Sequence, residues 1–262
     1  MTAWDPALYA RFEAERSQPF YDLAALVRAR AGMAVIDLGC GSGELTAWLH
    51  RGLEAASTLG IDSSEAMLGR ARAQAESGLT FEAGDINRLE SEPWGRRQYD
   101  LVFSNAALQW VTDHERLFPR LRSLVAPGGQ LAVQMPANEG HISHVTAMDL
   151  AREEPYASAL EGYERPLTVL SPVRYAELLH TLGFEEQSVR LQIYPHLLPG
   201  PESVVEWVSG TFLTAFRSRL SPELYAAFLE EYGRRLIAAL GPARPYLYTY
   251  PRVLIWGRLA AG

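Results

Sequence analysis

A group of glycines and acids in the first half of the chain has the residue types and spacing of a small-ligand site. In the stretch VIDLGCGSGE, Gly39, Gly41 and Gly43 stand at alternate positions just after an apolar run that contains Asp37. Glycine lets the main chain turn sharply and approach a ligand with no side chain in between. The stretch therefore predicts a ligand-holding loop, because a plain strand-to-helix turn does not need three glycines in five residues.

The spacing of these glycines argues against two classes of nucleotide ligand. The dinucleotide fingerprint is G-x-G-x-x-G, but here the third glycine comes one place early and Glu44 would lie near a pyrophosphate, which disfavours that ligand. A phosphate loop requires a lysine, and all 24 basic residues of the chain are arginine. What remains is a ligand that contains adenosine but no phosphate.

Two acids further along the chain fit the adenosine part of such a ligand. Asp62, in the stretch GIDSS, follows about one strand-helix-strand unit after the loop, where an acid accepts hydrogen bonds from ribose hydroxyls. The alternative is that Asp62 caps the next helix, although Ser63 or Ser64 could do so instead. In the stretch AGDI, Asp85 could accept from an exocyclic amine while the amide of Ile86 serves a ring nitrogen. A simple turn role for Asp85 stays open.

The elements that must position these residues alternate between strand and helix. Apolar runs such as MAVIDL, STLGID, YDLVFSNA and QLAVQMP are typical of buried strands, with amphipathic helical segments between them. This alternation predicts an α/β fold with a doubly wound, mostly parallel sheet. An N-terminal helix is predicted from Asp5-Pro6, Leu8 and Phe12 onward, with helical spacing continuing to Gly32. The stretch SSEAMLGRARAQAES predicts another helix after the second strand.

After Pro136 the alternation is interrupted by polar and helical insertions. The residues that follow predict a helix opened by Ser171-Pro172 and an edge strand GFEEQSVRLQIYPHLL. Two helical runs come next, ESVVEWVSGTFLTAFRSRL and SPELYAAFLEEYGRRLIAAL, the second again opened by Ser-Pro, before a closing strand YLYTYPRVLIWGRL. No repeat or long linker separates these segments. We therefore expect one domain over residues 1–262, with helical cap elements at 1–31, 137–180 and 200–244.

Composition limits the classes of protein to which the chain could belong. Its 262 residues are 48% hydrophobic and 21% charged, as in a globular protein with a large core. The formal charge of -7 argues against nucleic acid or an anionic membrane as the main partner. The lone Cys40 cannot form an internal disulfide, and no thiolate metal site is expected. With no signal peptide or membrane-spanning run, the sequence predicts a cytoplasmic protein.

The motifs VIDLGCGSGE, GIDSS, AGDI and DLVFSNAALQW, in that order, resemble those of the class I S-adenosylmethionine-dependent methyltransferases. The resemblance covers Met33 to Pro136 and implies a seven-stranded Rossmann-like sheet whose last strand is antiparallel. It implies S-adenosyl-L-methionine as the cofactor and no metal. The cofactor-binding residues that it implies are Asp37, Gly39, Gly41, Gly43, Asp62, Ser63, Asp85, Ile86 and Asn105.

A narrower resemblance extends over almost the whole chain. Segments such as WDPALYARFEAERSQP, SHVTAM, VVEWVSGTFL and YPRVLIWGRL are similar to the trans-aconitate 2-methyltransferases, which esterify one carboxylate of a small tricarboxylate. It implies an O-methyltransferase that acts on trans-aconitate. Alternatives are another small carboxylic acid or metabolite, including malonyl-carrier acceptors, or a catalytically silent cofactor-binding protein; an NAD-dependent oxidoreductase is a weaker choice.

The methyl acceptor is expected at the strand ends that surround the cofactor's methyl group. Parallel strands present their carboxyl ends there, and an antiparallel last strand presents its amino end. This rim comprises residues 105–110, 134–138, Tyr194 with His196, and 248–252. The substrate-binding candidates are Gln109, Trp110, His144, Arg165, Trp207 and Arg252.

Arginine would bind a carboxylate by charge-assisted hydrogen bonds, and an aromatic face attracts a sulfonium cation. Ordinary structural roles compete with these assignments: a surface arginine for Arg252, a structural histidine for His144 and core packing for Trp207. A carboxylate is ionised near neutral pH, so no general base is needed and no catalytic side chain is predicted. The partner expected is a small carboxylate, and nothing in the sequence requires a dimer, so a monomer is compatible with it.

Overall fold

The computed structural model describes residues 13–166 and 168–261, with side chains from Ser17 onward. The predicted start of the N-terminal helix, at Asp5-Pro6 with Leu8 and Phe12, lies outside the described residues. Within the described part, the chain divides into two compact units. The sheet unit comprises residues 17–137, 168–192 and 252–261, and the helical unit comprises 13–16, 138–166 and 193–251.

Seven strands form one mixed sheet in the order β3-β2-β1-β4-β5-β7-β6. The strands are β1 (Ala34–Leu38), β2 (Ser57–Asp62), β3 (Leu79–Ala83), β4 (Tyr99–Asn105), β5 (Val125–Pro136), β6 (Phe184–Leu198) and β7 (Tyr246–Leu259). Strands β1 to β5 pair in parallel, and β7 is antiparallel to β5. The predicted α/β class and the antiparallel last strand are confirmed.

Helices lie on both faces of the sheet within the sheet unit. They are α1 (Glu13–Ala24), which belongs to this unit from Ser17 onward, α2 (Glu44–Gly52), α3 (Glu65–Ala71), α4 (His114–Ser123) and α7 (Pro172–Thr181). On one face, Phe20 of α1 and Leu49 of α2 pack in one buried cluster with Phe103 of β4. On the other face, Phe118 of α4 and Tyr175 of α7 belong to a second cluster with strand residues. Burial on both faces explains why these strands are continuous apolar runs.

The helical unit has its own aromatic core. Its helices are α5 (Ile142–Ala151), α6 (Tyr156–Ala159), α8 (Glu202–Ser209), α9 (Thr214–Arg217) and α10 (Pro222–Leu240). Ser221 caps α10 by accepting from the Leu224 amide, and proline follows it at the first helical position, as the Ser-Pro pair predicts. Phe216, Phe228 and Tyr232 are fully buried in the core of this unit.

Several element boundaries differ from the sequence prediction. The predicted helix that was to run to Gly32 ends at Ala24, and the helix after β2 gives way at Ala71 to a 3-10 turn. The predicted single helical run from 202 to 220 is two helices separated near Gly210. Residues 168–180, predicted as cap, group with the sheet unit. The single-domain organisation stays a prediction.

Candidate functional site

The glycine loop after β1 adopts a conformation that requires glycine. Gly39, Gly41 and Gly43 have φ values of 86°, 56° and 82°, in the left-handed region that disfavours side chains. A Cβ atom on Gly39 would lie 2.2 Å from the Cβ of Ala107, whereas one on Gly41 would meet no atom within 4 Å. Gly39 is therefore needed for close packing, and Gly41 borders open space.

Asp62 fixes this loop through main-chain hydrogen bonds. Its Oδ2 accepts from the Gly41 amide at 2.9 Å and its Oδ1 accepts from the Ser64 amide at 2.9 Å. Ser64, and not Asp62, caps α3, because the Met67 amide donates to its Oγ. Each carboxylate oxygen has a further lone pair, so the predicted ribose contact is chemically compatible with this loop-fixing role. The side chain of Ser63 is exposed.

Asp37 is a buried acid beneath the loop. It is 3% exposed, and the Thr46 hydroxyl on α2 donates to its Oδ2 at 2.6 Å. Burial raises the pKa of Asp37 to about 7, the Thr46 hydrogen bond opposes that shift, and nearby Asp62 adds to it. A cation close to the loop would favour the ionised form. The environment of Asp37 is thus suited to a cationic ligand group.

Asp85 begins the 3-10 helix Ile86–Ser91 and caps it. Its Oδ1 accepts from the amide and from the side chain of Asn87, both at 2.9 Å. Ile86 packs against the core cluster of the sheet unit. The turn role that the sequence left open for Asp85 is therefore present, and its adenine contact stays a prediction.

A row of polar side chains crosses four adjacent strands at the edge where β4 and β5 end. Val35, Phe103, Ala132 and Trp256 belong to one buried cluster and so mark one face of the sheet. Side chains two or four positions along a strand share that face. The row on that face consists of Asp37 on β1, Asn105 on β4, Gln134 on β5 and Arg252 on β7.

Strand register fixes the order of this polar row. Asn105 is paired with Gln134, and Arg252 is paired with Pro136, two residues beyond Gln134. The Arg252 Nη1 donates to Gln134 Oε1 at 3.4 Å. The row therefore begins with an acid, continues through two amides and ends with a cation. Such an arrangement can hold a positive and a negative reactant side by side.

Three amide atoms at this edge are buried and lack a hydrogen-bond partner among the described residues. They are Asn105 Oδ1, Gln109 Oε1 and Gln134 Nε2. The other side-chain atom of Gln109, Nε2, donates to the Ala106 carbonyl at 2.7 Å. An unsatisfied buried polar group is costly and calls for a partner such as a ligand. Two of these atoms are acceptors and one is a donor.

A buried histidine-tyrosine pair supports the short turn Leu108–Trp110 that carries Gln109. His114 hydrogen-bonds through Nε2 to the Leu108 carbonyl at 3.0 Å and through Nδ1 to the Tyr175 hydroxyl at 2.6 Å. Because a carbonyl can only accept, Nε2 carries the proton and Nδ1 accepts from the tyrosine. Burial lowers the pKa of His114, against the opposing effect of its main-chain hydrogen bonds.

The tyrosine hydroxyl and the neighbouring threonine tie the segment before α7 to this turn. Tyr175 Oη accepts from the Leu170 amide at 3.0 Å, and Thr168 Oγ1 donates to the Gln109 carbonyl at 2.9 Å. No sequence pattern indicates these contacts, because the partners are about 60 residues apart in the chain. The other predicted residue of the turn, Trp110, is 55% exposed.

Three predicted substrate residues, His144, Arg165 and Trp207, lie in the helical unit. His144 is buried, and burial with Arg165 and His141 nearby lowers its pKa to about 3, so its ring is neutral. The Arg165 guanidinium lies 4.4 Å from the Phe212 ring centroid and donates to the Phe212 carbonyl at 2.8 Å. The His144 ring packs edge-on against the same Phe212 ring at a centroid distance of 4.1 Å. Both residues thus contact Phe212, and their roles in substrate binding stay predictions.

Trp207 is a core residue of the helical unit. It is 2% exposed and packs at ring-centroid distances of 5.0 to 5.7 Å against His196, Tyr248 and Tyr250. This is the packing role that the sequence left open as its alternative. A contact between Trp207 and a ligand stays a prediction.

The described part of the chain has neither a membrane-spanning helix nor a cluster of metal-ligating side chains. No helix there is both long and apolar enough to cross a membrane. The described residues also contain no group of three or more histidine, cysteine, aspartate or glutamate side chains that could hold a metal ion.

Comparison with known proteins gives a consistent result. A family model described as a methyltransferase domain matches residues 29–164. A trans-aconitate 2-methyltransferase of Deinococcus radiodurans is 44% identical over 257 residues, covering 96% of each chain. That of Variovorax paradoxus is 40% identical over 261 residues, covering 97% of this chain and 98% of the relative.

A solved structure supports the fold. The phosphoethanolamine N-methyltransferase 2 of Haemonchus contortus superposes with a TM-score of 0.55 at 18% identity. The match covers 93% of this chain and 52% of that one. At this identity the likeness shows the fold alone.

Proposed function

Because this chain belongs to the methyltransferase family, and within it to the group of the trans-aconitate 2-methyltransferases, we propose that it methylates a carboxylate of trans-aconitate. The methyl donor is S-adenosyl-L-methionine, and the product is a methyl ester. The observation that carries this proposal is the full-length similarity, 44% identity over 96% of both chains. The polar row gives that similarity a chemical explanation.

The residues at the glycine loop fit the proposed cofactor. Gly41 borders open space, so the main chain can approach a ligand there. The buried acceptors Asn105 Oδ1 and Gln109 Oε1 have no donor among the described residues, and Asp37 and Asp62 add acidic groups. Acceptors and acids match a ligand that carries an ammonium and a sulfonium. These side chains would hold the cationic end of the cofactor.

When bound, the cofactor would supply an electrophilic methyl group, which a carboxylate oxygen of the acid would take while the electron pair of the broken carbon-sulfur bond stays on sulfur. The chain's own residues then have two tasks. Arg252 binds the carboxylates by charge-assisted hydrogen bonds, and the rigid strand ends align the two reactants. No side chain needs to remove a proton, because a carboxylate is already ionised near neutral pH.

Charge also explains how the site can favour the reaction. A carboxylate and a sulfonium become a neutral ester and a neutral thioether, so opposite charges are lost in the displacement. Burial of the polar row limits the water that would solvate those charges. Alignment of two bound reactants can supply roughly 7 to 11 kcal/mol of the barrier at best. We infer that alignment and desolvation are the main sources of rate.

Labelled methyl transfer to a panel of acids tests the proposal. The panel contains trans-aconitate, isocitrate-like tricarboxylates, and malonyl and fatty acyl acceptors. We expect transfer to trans-aconitate to exceed transfer to the others. Higher activity with another acid would replace the substrate but keep the reaction. Binding of S-adenosylmethionine with no transfer to any acid would favour the alternative of a cofactor-binding protein without catalysis.

The remaining assignments stay proposals as well. We propose a small carboxylate as the partner, the cytoplasm as the location and no requirement for a second copy of the chain. Size-exclusion chromatography with light scattering would measure the oligomeric state.

A further inference from the structure

We propose that Gln134 determines specificity for the methyl acceptor by donating a hydrogen bond from Nε2 to the carboxylate that Arg252 holds. The inference rests on the proposed function and adds a residue to it. Gln134 lies near the end of β5, and its side chain is fully buried at 0% exposure. Sequence reasoning placed it at the rim of the site but gave it no role.

The orientation of the Gln134 amide follows from its neighbour. An arginine side chain has only donors, so the amide atom that faces Arg252 Nη1 at 3.4 Å must be the oxygen. The nitrogen is therefore the atom left over, and it has no acceptor among the described residues. The contact with arginine thus distinguishes the amide oxygen of Gln134 from its nitrogen.

The unsatisfied atoms at this edge divide by chemical type. Asn105 is paired in register with Gln134, yet its Oδ1 and the Gln134 Nε2 do not bond to each other, since both atoms lack a partner among the described residues. Each therefore needs a separate partner of opposite type. An acceptor such as Asn105 Oδ1 suits a cationic ligand, and a donor such as Gln134 Nε2 suits an anionic one.

The strand position of Gln134 also suits a carboxylate. Gln134 and Arg252 lie on adjacent antiparallel strands and on the same face of the sheet. Together they present an amide N–H and a guanidinium, which are donors that a carboxylate can accept with both oxygens. Burial strengthens such bonds, because competing water is excluded. The pair is thus a built carboxylate receptor.

Two substitutions of Gln134 test this role. Gln134→Met keeps the length of the side chain but removes the donor, and we expect the KM for trans-aconitate to rise roughly tenfold, as for loss of one hydrogen bond to a charged group. Gln134→Glu replaces the donor with a carboxylate beside Arg252, and we expect a rise of about 100-fold or more. In both variants the dissociation constant of S-adenosylhomocysteine, measured by calorimetry, should stay within about threefold of the original.

Gln130 supplies the matched control, because it lies on the same strand and face. Its amide is fully used: Oε1 accepts from the Arg28 amide and from Trp256 Nε1, and Nε2 donates to the Arg28 carbonyl. Gln130→Met should lower the unfolding temperature while leaving the KM for the acid unchanged. Rises in KM that are equal for Gln130→Met and Gln134→Met would overturn the proposal, as would an unchanged KM in both Gln134 variants.

Failure of the proposed function has a separate signature. If the original protein methylates a different carboxylic acid, that acid replaces trans-aconitate in the same comparison, since the receptor recognises a carboxylate. If the original protein methylates trans-aconitate and the KM of Gln134→Met equals that of the original, only the role proposed for Gln134 is wrong. An original protein that neither binds nor methylates any acid of the panel contradicts both.

Discussion

The two ends of the polar row in the sheet unit are built from different chemical groups. At the β1 end, buried Asp37 lies beside the loop of left-handed glycines, and Asp62 of β2 fixes that loop through the Gly41 amide. At the β5 and β7 end, an amide and a guanidinium approach each other between neighbouring strands. The first end suits a cationic ligand and the second an anionic one. The difference teaches that one sheet edge can separate two reactants by charge.

The largest expected effect comes from breaking the glycine end at its tightest point. Gly39→Ala should lower the free energy of unfolding by roughly 2–5 kcal/mol, because the new Cβ would lie 2.2 Å from the Cβ of Ala107 in a left-handed backbone. Binding of S-adenosylhomocysteine should be lost with it, since the loop must move. Urea unfolding and calorimetry measure the two quantities.

Gly41→Ala is the control at the same end of the row. Its Cβ would meet nothing within 4 Å, so only the left-handed conformation costs energy, about 1–2 kcal/mol. The variant should fold and show weaker cofactor binding, because the added methyl group occupies the open space. Equal losses of stability at positions 39 and 41 would contradict the packing described here.

A second effect, smaller than that of Gly39→Ala, concerns Asp37 at the β1 end of the row. Asp37→Asn keeps the size of the side chain and an acceptor for Thr46 but removes the ionisation. Because the pKa of the native Asp37 is raised from 3.8 to about 7, the folded state keeps a proton that the unfolded state releases between those values. The free energy of unfolding of the original protein therefore falls as pH rises through this window and levels off above it.

The expected size of that effect follows from the width of the window. Between pH 5 and the pKa of about 7, two units at about 1.36 kcal/mol each give roughly 2–3 kcal/mol. We expect the original protein to lose that much more stability than Asp37→Asn between pH 5 and pH 8, measured by urea unfolding. Parallel pH profiles of stability for the two proteins would show that folding does not raise the pKa of Asp37.

The glycine loop and the acids at the β1 end of the row could be predicted from the sequence. The contacts at the β7 end could be predicted only in part. Three glycines and two acids are recognisable from their spacing in the sequence, because the loop and the strand ends that they occupy are local features. Arg252 was placed at the rim by the direction of its strand. The side-chain contact between Gln134 and Arg252 depends on the register of β5 and β7, and the two residues are more than 100 positions apart in the chain.

Side-chain partnerships across the fold were also beyond reach of the sequence. Trp207 offered the same aromatic character whether it lines a ligand site or packs a core, and only its 2% exposure reveals the packing. Helix ends were missed where a single helical run contained an internal break, as near Gly210. Apolar periodicity marks which face is buried, but tertiary packing decides where a helix stops.

An effect smaller than those expected at Gly39 and Asp37 concerns the support of the turn that carries Gln109. Tyr175→Phe removes the hydroxyl that donates to His114 Nδ1 and accepts from the Leu170 amide. Two buried groups then lose a partner, and we expect the free energy of unfolding to fall by about 1–3 kcal/mol. The KM for the acid should rise severalfold, with cofactor affinity unchanged. Unaltered stability would show that the pair is not the support of this turn.

The proposed separation of the two reactants along the row is tested most directly at Arg252. In Arg252→Gln, we expect the KM for trans-aconitate to rise roughly 10- to 100-fold at saturating S-adenosylmethionine, because a charge-assisted contact is lost. The matched control is Arg258→Gln on the same strand, whose guanidinium pairs instead with Glu186, and its KM should not change. A KM for Arg252→Gln equal to that of the original protein would contradict the separation of charge along this edge.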